Sequence, residues 1–121
     1  MTFTKEEIEI MKQAVKEYNY ISRYINYEIK NGASMEQLLE YVVDEFDADI
    51  TNYDLLSDYK YIDFNYGCMN CSIIQSKELP THLSDTIELW NDEDNYMITS
   101  SITIKEIKQI IKENNNETMA L

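Results

Sequence analysis

Turn-forming residues are scarce in this chain of 121 residues, which contains only two glycines and one proline. So low a content favours long regular elements with few tight turns. The sequence also lacks any Gly-rich phosphate-binding loop. One histidine and two cysteines leave few candidates for nucleophilic catalysis or metal binding. We therefore expect a protein that is not an enzyme and that uses no cofactor and no metal.

Two spacings typical of metal or redox sites are present but incomplete. Cys68 and Cys71 form a CxxC motif, yet a structural zinc site needs four ligands and His82 is the only other candidate. The motif also lies between two predicted strands, whereas a redox dithiol favours a helix N-terminus. The segment 47–58 has the 1, 3, 5, 7 spacing of a calcium loop, at Asp47, Asp49, Thr51 and Tyr53, but it lacks the glycine at position six, and Asp58 stands where the loop needs a glutamate at position twelve. We predict two ordinary thiols near a turn and no calcium site.

Membrane-directed segments are missing as well. No apolar run approaches the roughly 18–20 residues that a membrane span requires, and the first residues are charged too early for a signal peptide. An acidic chain is repelled by anionic lipid surfaces. The abundance of Ile, Asn, Lys and Tyr resembles the usage of AT-rich bacterial genomes. We expect no membrane contact and a location in the cytoplasm of a bacterial host cell.

Helical segments are marked by three capping boxes. Thr4 with Glu7 precedes an apolar stripe at helical spacing, which predicts a helix over residues 5–30, with a break near Tyr20 left open. Ser34 with Gln37 predicts a second helix over 35–46. The short link between them favours an antiparallel pair. A third box, Thr103 with Glu106, begins a C-terminal helix.

Between the helices the hydrophobic period becomes that of strands. Residues 59–66 alternate, 68–75 form an apolar β-branched run, and 86–90 and 96–99 flank a hairpin loop of sequence NDEDN. The segment DADITNYDLLSD is ambiguous and includes a candidate helical turn around Tyr53–Ser57. The order predicts an α+β fold: an N-terminal helical hairpin, a small antiparallel sheet of three to four strands with helices on one face, and a C-terminal helix. We expect a single domain over residues 1–114 and a frayed tail over 115–121.

The charge of the chain is concentrated in its middle. Residues 31–104 carry fifteen acids against two bases, which accounts for the whole net charge of −13. Such a block is either a solvated face or a binding surface for a basic partner. A helix-turn-helix drawn over 35–58 would present carboxylates to phosphates, so direct binding to nucleic acid is excluded.

The candidate partner-binding residues are acids of this block and the aromatic residues among them. Carboxylates can act as phosphate surrogates towards a cationic groove, and large aromatic side chains serve as interface anchors. The carboxylates are Glu36, Glu40, Asp44, Asp47, Asp49, Asp54, Asp92, Glu93 and Asp94. The aromatic candidates are Tyr41, Tyr53, Tyr66 and Trp90.

In size, acidity and α+β mixture the chain resembles the phage-encoded nucleic-acid-mimic inhibitors of the anti-CRISPR and anti-restriction type. The resemblance rests on no shared motif, so it transfers no residue roles. It implies a basic nucleic-acid-binding protein as partner: a CRISPR effector nuclease such as Cas9, or another host nuclease. The inhibitor would occupy the groove that binds DNA or RNA.

Two other functions fit the same composition. An immunity protein for a nuclease toxin is also small and acidic, and a neighbouring toxin gene would distinguish it. A regulatory adaptor, working as a homodimer, would instead use the tyrosine-rich side of the first helix, at Tyr20, Tyr24 and Tyr27. Binding by such an adaptor would survive salt, whereas exposed charge pairing is screened. The chain is therefore expected to be a monomer or a homodimer.

Overall fold

The computed structural model describes residues 2–120, with side chains described for residues 2–114. Its helices are α1 (Lys5–Lys30), α2 (Met35–Phe46) and α3 (Ile104–Ala120). Its strands are β1 (Asp49–Asp54), β2 (Lys60–Tyr66), β3 (Met69–Gln75), β4 (His82–Leu83), β5 (Thr86–Asn91) and β6 (Tyr96–Thr103). The predicted α+β fold is confirmed. The predicted frayed tail at residues 115–121 lies outside the residues whose side chains are described.

The predicted helix starts are confirmed by their capping hydrogen bonds. In α1 the Thr4 hydroxyl accepts from the Glu7 backbone N–H, and the Glu7 carboxylate accepts from the Thr4 N–H at 2.8 Å. The same reciprocal pair forms at the start of α2, and Thr103 bonds Glu106 at the start of α3. The helix α2 ends at Phe46 and is followed by Asp47, its C-terminal cap, which adopts the left-handed conformation.

The strands form one antiparallel sheet in the order β1-β2-β3-β5-β6, with the short β4 paired to β3. The hairpin predicted around NDEDN joins β5 to β6, and the buried Asn91 accepts from the Asp94 backbone N–H inside its turn. The sheet has six strands, whereas three to four were predicted. The additional strands are β1, in the segment whose sequence is ambiguous between a helical turn and other structure, and β4, which is two residues long.

The core lies between one face of this sheet and the helices. Strand alternation buries every second residue, for example Ile62 and Phe64 on β2 and Cys71 and Ile73 on β3. The helical contribution comes from the stripe of α1 that includes Met11 and Ile21, together with Leu38 and Val42 of α2 and Ile107 of α3. Each such side chain contributes about 1.5–3 kcal/mol by leaving water. The opposite face of the sheet is consequently not covered by a helix within residues 2–120.

Candidate protein-binding surface

The outward side chains of the sheet form a surface that we call the open sheet face. Because paired residues of antiparallel strands point the same way, the strand register identifies its members. They are Asp49, Asn52 and Asp54 on β1; Tyr61, Asp63 and Asn65 on β2; Asn70, Ser72 and Ile74 on β3; Glu88 and Trp90 on β5; and Met97 on β6. All of them are exposed or half-buried. Four are carboxylates, and none is lysine or arginine.

Side-chain hydrogen bonds, between strands and within β5, hold this face in place. The Ser72 hydroxyl donates to the Asp63 carboxylate at 2.6 Å, across β2 and β3. The Asn70 amide donates to Asn65 Oδ1 at 2.9 Å and to a threonine hydroxyl of β1 at 3.0 Å. The Trp90 indole N–H donates to Glu88, two residues before it on β5. Polar groups fixed in this way can bind a partner without first being ordered.

The candidate carboxylates from the sequence are divided among separate surfaces. Glu36, Glu40 and Asp44 lie exposed on α2, and Asp47 caps that helix. Since α2 packs its apolar side on the core, its exposed acids lie on the opposite side of the sheet from the open sheet face. Only Asp49 and Asp54 belong to the open sheet face itself.

The remaining candidates mark the two ends of the sheet. Asp92, Glu93 and Asp94 occupy the β5–β6 turn, beside Trp90. Asp54 lies at the other end, where its carboxylate accepts from the backbone N–H groups of Leu56 and Ser57. These bonds, led by that from Leu56, lower the pKa of Asp54. Asp54 therefore also organises the loop that joins β1 to β2.

The candidate tyrosines have mixed environments. Phe46 is surrounded by the rings of Tyr20, Tyr24, Tyr41 and Tyr66, with ring centroids 5.6–6.0 Å from its own. Tyr41 and Tyr66 are thus packing residues of this aromatic cluster, and burial raises the pKa of both. Tyr53, in contrast, is 58% exposed on the edge strand β1 and remains available to a partner.

Two grooves flank Trp90 at the end of the sheet where β2 turns into β3. The first, of about 610 Å³, lies on the open sheet face, and Asp49, Asn70, Glu88 and Asp92 contribute to its walls. The second, of about 440 Å³, lies between α1 and the turns β2–β3 and β5–β6. We call them the open-face groove and the helix-side groove. Gly67, Cys68, Trp90 and Asp92 line both, so the two grooves share a ridge.

The acids of α1 that line the helix-side groove were missed by sequence reasoning. Residues 1–30 carry as many bases as acids, so the segment reads as neutral. On the helix, however, Glu6, Glu9, Gln13 and Glu17 share one stripe because they recur at i+3 and i+4 spacing. That spacing was the signal available in the sequence. The acidic block and α1 together surround the ridge.

Few of the acids in residues 2–114 are neutralised by an ion pair within the chain. Among the described side chains two ion pairs form, Lys12 with Glu9 at 3.2 Å and Lys77 with Asp58 at 3.1 Å. Both pairs are exposed, where an ion pair contributes little stability. Most carboxylates around the ridge therefore keep an uncompensated negative charge that a basic partner could neutralise.

The thiols and the lone histidine have ordinary surroundings. Burial raises the pKa of Cys68 to about 11 and that of Cys71 to about 12, so both remain protonated at neutral pH. His82 lies on β4, with its Nδ1 atom 3.0 Å from the Pro80 carbonyl oxygen. The segment weighed as a calcium loop contains the extended strand β1, which spreads its side chains along a line. In residues 2–114 no three His, Cys, Asp or Glu side chains converge on one point.

Comparisons with known proteins identify no relative of this chain. No protein-family model matches the chain, and neither a curated protein nor a solved structure matches it. In the described part of the chain, no helix has the length and apolarity that crossing a bilayer requires. The function is therefore inferred from the surface chemistry of the chain.

Proposed function

We propose that this protein is an acidic inhibitor that binds a basic nucleic-acid-processing enzyme and blocks its DNA- or RNA-binding groove by charge mimicry. It acts by binding and not by catalysis, and its place of action is the cytoplasm of a bacterial host. The target we favour is a CRISPR effector nuclease such as Cas9. The partner is thus a protein, without direct contact to nucleic acid or membrane.

The supporting observation is the open sheet face, where Asp49, Asp63 and Glu88 lie on three different strands without a lysine or arginine among them. Neighbouring strands lie about 4.8 Å apart, so these charges form a two-dimensional array on a rigid support. Duplex DNA carries about one negative charge per 1.7 Å of its axis, and proteins that bind it present lysines and arginines at matching positions. An acidic array of this kind competes for those same side chains.

A CRISPR effector offers a suitable surface. Its guide–target duplex lies in a positively charged channel, and in Cas9 two arginines read the short recognition motif beside the target. A small domain with an anionic surface, such as this one, could enter such a channel before DNA does. Electrostatic attraction would also accelerate the encounter and disfavour acidic proteins as partners.

The test is an order-of-addition cleavage assay with guide-loaded Cas9 and with a restriction enzyme as a second target. We expect inhibition when the protein is added before the DNA, and much weaker inhibition when the DNA is already bound. Equal inhibition in both orders would indicate a conformational mechanism instead of groove blocking. Absence of salt-sensitive binding to any basic nucleic-acid enzyme in a bacterial lysate would contradict the proposed function altogether.

A homodimeric adaptor is the second candidate, favoured by the tyrosines on the solvent side of α1. Tyr20, Tyr24 and Tyr27 are 50%, 39% and 65% exposed, and the rings of the first two contact Phe46 edge-on and tilted, respectively. Exposed aromatic side chains of this kind are enriched in interface anchors. Sedimentation equilibrium at low and high salt would distinguish it, because a dimer formed by this face would persist at high salt.

A further inference from the structure

The helix-side groove combines an apolar lining with an acidic rim. Ile10, Cys68 and Trp90 contribute the apolar surface. The rim is formed by Glu6, Glu9, Glu17, Asp92 and Glu93, of which Glu9 is paired with Lys12 at 3.2 Å. The rim acids come from α1 on one side and from the β5–β6 turn on the other, so a bound group would lie between carboxylates.

We propose that this groove receives an arginine side chain of the partner protein, an inference that rests on the proposed function and names the group that is recognised. A guanidinium is planar, stays charged, and donates in a fixed fork that matches a carboxylate. It is also weakly hydrated and stacks on aromatic faces, for which tryptophan is the best partner. Of the basic side chains that proteins present to nucleic acid, arginine alone matches both the apolar lining and the acidic rim of the groove.

Lysine fits the groove less well. Its ammonium is a compact, strongly hydrated point charge, so an apolar wall offers it little. The rim acids would attract it only through exposed charge pairing, which contributes weakly. The groove should therefore discriminate between two cations of equal charge, which a diffuse acidic surface would not do.

The glutamate Glu17 is positioned by an unusual close approach. Gly67, in the β2–β3 turn, has a φ of +60°, and a Cβ added there would lie 1.6 Å from the Glu17 carboxylate oxygen Oε2. The glutamate thus extends directly over the turn, at the edge of the groove. An alanine at position 67 would displace the Glu17 side chain. This substitution therefore tests the position of the carboxylate without removing its charge.

The experiment uses Trp90, the one tryptophan of the chain, whose indole N–H gives a single resonance in a ¹⁵N correlation spectrum. N-acetyl-arginine amide and N-acetyl-lysine amide are titrated separately into the full-length protein at constant ionic strength. We expect a saturable shift of the indole signal with arginine, and an affinity at least about threefold above that for lysine. Equal responses to the two probes, or no saturable response to arginine, would overturn the proposal.

Matched variants locate the response. Glu17→Gln with Glu93→Gln removes two rim charges and should weaken arginine binding several-fold, whereas Glu36→Gln with Glu40→Gln removes two charges from α2 and should not. Unchanged binding in the rim variant would contradict the assignment of the groove.

Gly67→Ala should weaken arginine binding by displacing Glu17. Gly32→Ala is its control, since Gly32 also has a positive φ, +87°, but no atom lies within 4 Å of an added Cβ. An equal effect of the two alanines would contradict the role of Glu17. Inhibition of a nuclease without an arginine response refutes only the groove, whereas an arginine response without a nuclease target refutes only the proposed function.

Discussion

Neutralising acids on the open-face groove should weaken target binding far more than neutralising acids on α2. The first variant combines Asp49→Asn, Glu88→Gln and Asp92→Asn. The second combines three substitutions on α2 at Glu36, Glu40 and Asp44, each to its amide. Both remove three negative charges, taking the net charge from −13 to −10, so any difference reports position and not total charge.

The size of the effect follows from the geometry of the two surfaces. An exposed ion pair contributes up to about 1 kcal/mol, so three pairs lost at the interface amount to at most about 3 kcal/mol. That corresponds to an increase in Kd of up to about 100-fold. The acids of α2 lie on the other side of the sheet, beyond the screening length of about 8 Å at physiological ionic strength, so their loss should change Kd by less than about threefold.

The measurement is the Kd for the identified target, determined by biolayer interferometry at several salt concentrations. Thermal unfolding of both variants serves as the control. Asp49 and Asp92 are exposed, so the loss of their charges should change stability by less than about 0.5 kcal/mol, and Glu88→Gln keeps a side-chain oxygen that can accept from the Trp90 indole N–H. The difference between the variants should disappear near 1 M salt, where the screening length is about 3 Å. Equal weakening by both variants, or weakening that persists at 1 M salt, would refute charge mimicry by the open sheet face.

Three further predictions concern the fold and its titratable groups. Cys68 and Cys71 should react with iodoacetamide at pH 8 much more slowly than free cysteine, because burial raises the pKa of both; rapid alkylation of the native protein would contradict their surroundings. Glu7→Gln should lower the free energy of unfolding at pH 7. This difference should vanish as the pH falls through the pKa of Glu7, which the capping backbone hydrogen bond lowers, so a pH-independent difference would argue against the ionised cap. Phe64→Ala should cost about 3–5 kcal/mol in a urea titration, since Phe64 is fully buried, and a loss below about 1 kcal/mol would place it outside the core.

The helices could be predicted from sequence because their signals are local. A capping box such as Thr4 with Glu7 lies within one turn and makes its hydrogen bonds regardless of the rest of the fold. Strand β2 was predictable for a similar reason, since the alternation of Ile62 and Phe64 with polar neighbours reports one buried face. The sequence signals for these elements lie within their own residues and do not depend on distant contacts.

Strand β1 carries no such local evidence. Of its six residues four are exposed and none is fully buried, so no alternation appears in the sequence. The strand exists because its backbone pairs with β2, from Asp49 opposite Asn65 to Asp54 opposite Tyr61, with an irregularity between Ile50 and Asn52. Edge strands held by backbone pairing alone are invisible to a hydrophobic pattern, and the predicted strand count was low for this reason.

The candidate surface shows a related difference between charge counted along the chain and charge arranged in space. Counting found the acids of the middle segment but grouped Glu36 on α2 with Asp49 on the sheet, although these lie on different sides of the molecule. It also treated α1 as neutral, whereas the helical period places Glu6 and Glu17 on one stripe that faces the β5–β6 turn. Only the register of the strands and the rotation of α1 about its axis place Trp90 and Asp92 between the acids of α1 and those of the open sheet face. Variants that remove the same number of charges from different positions therefore test the function more sharply than any change in total charge.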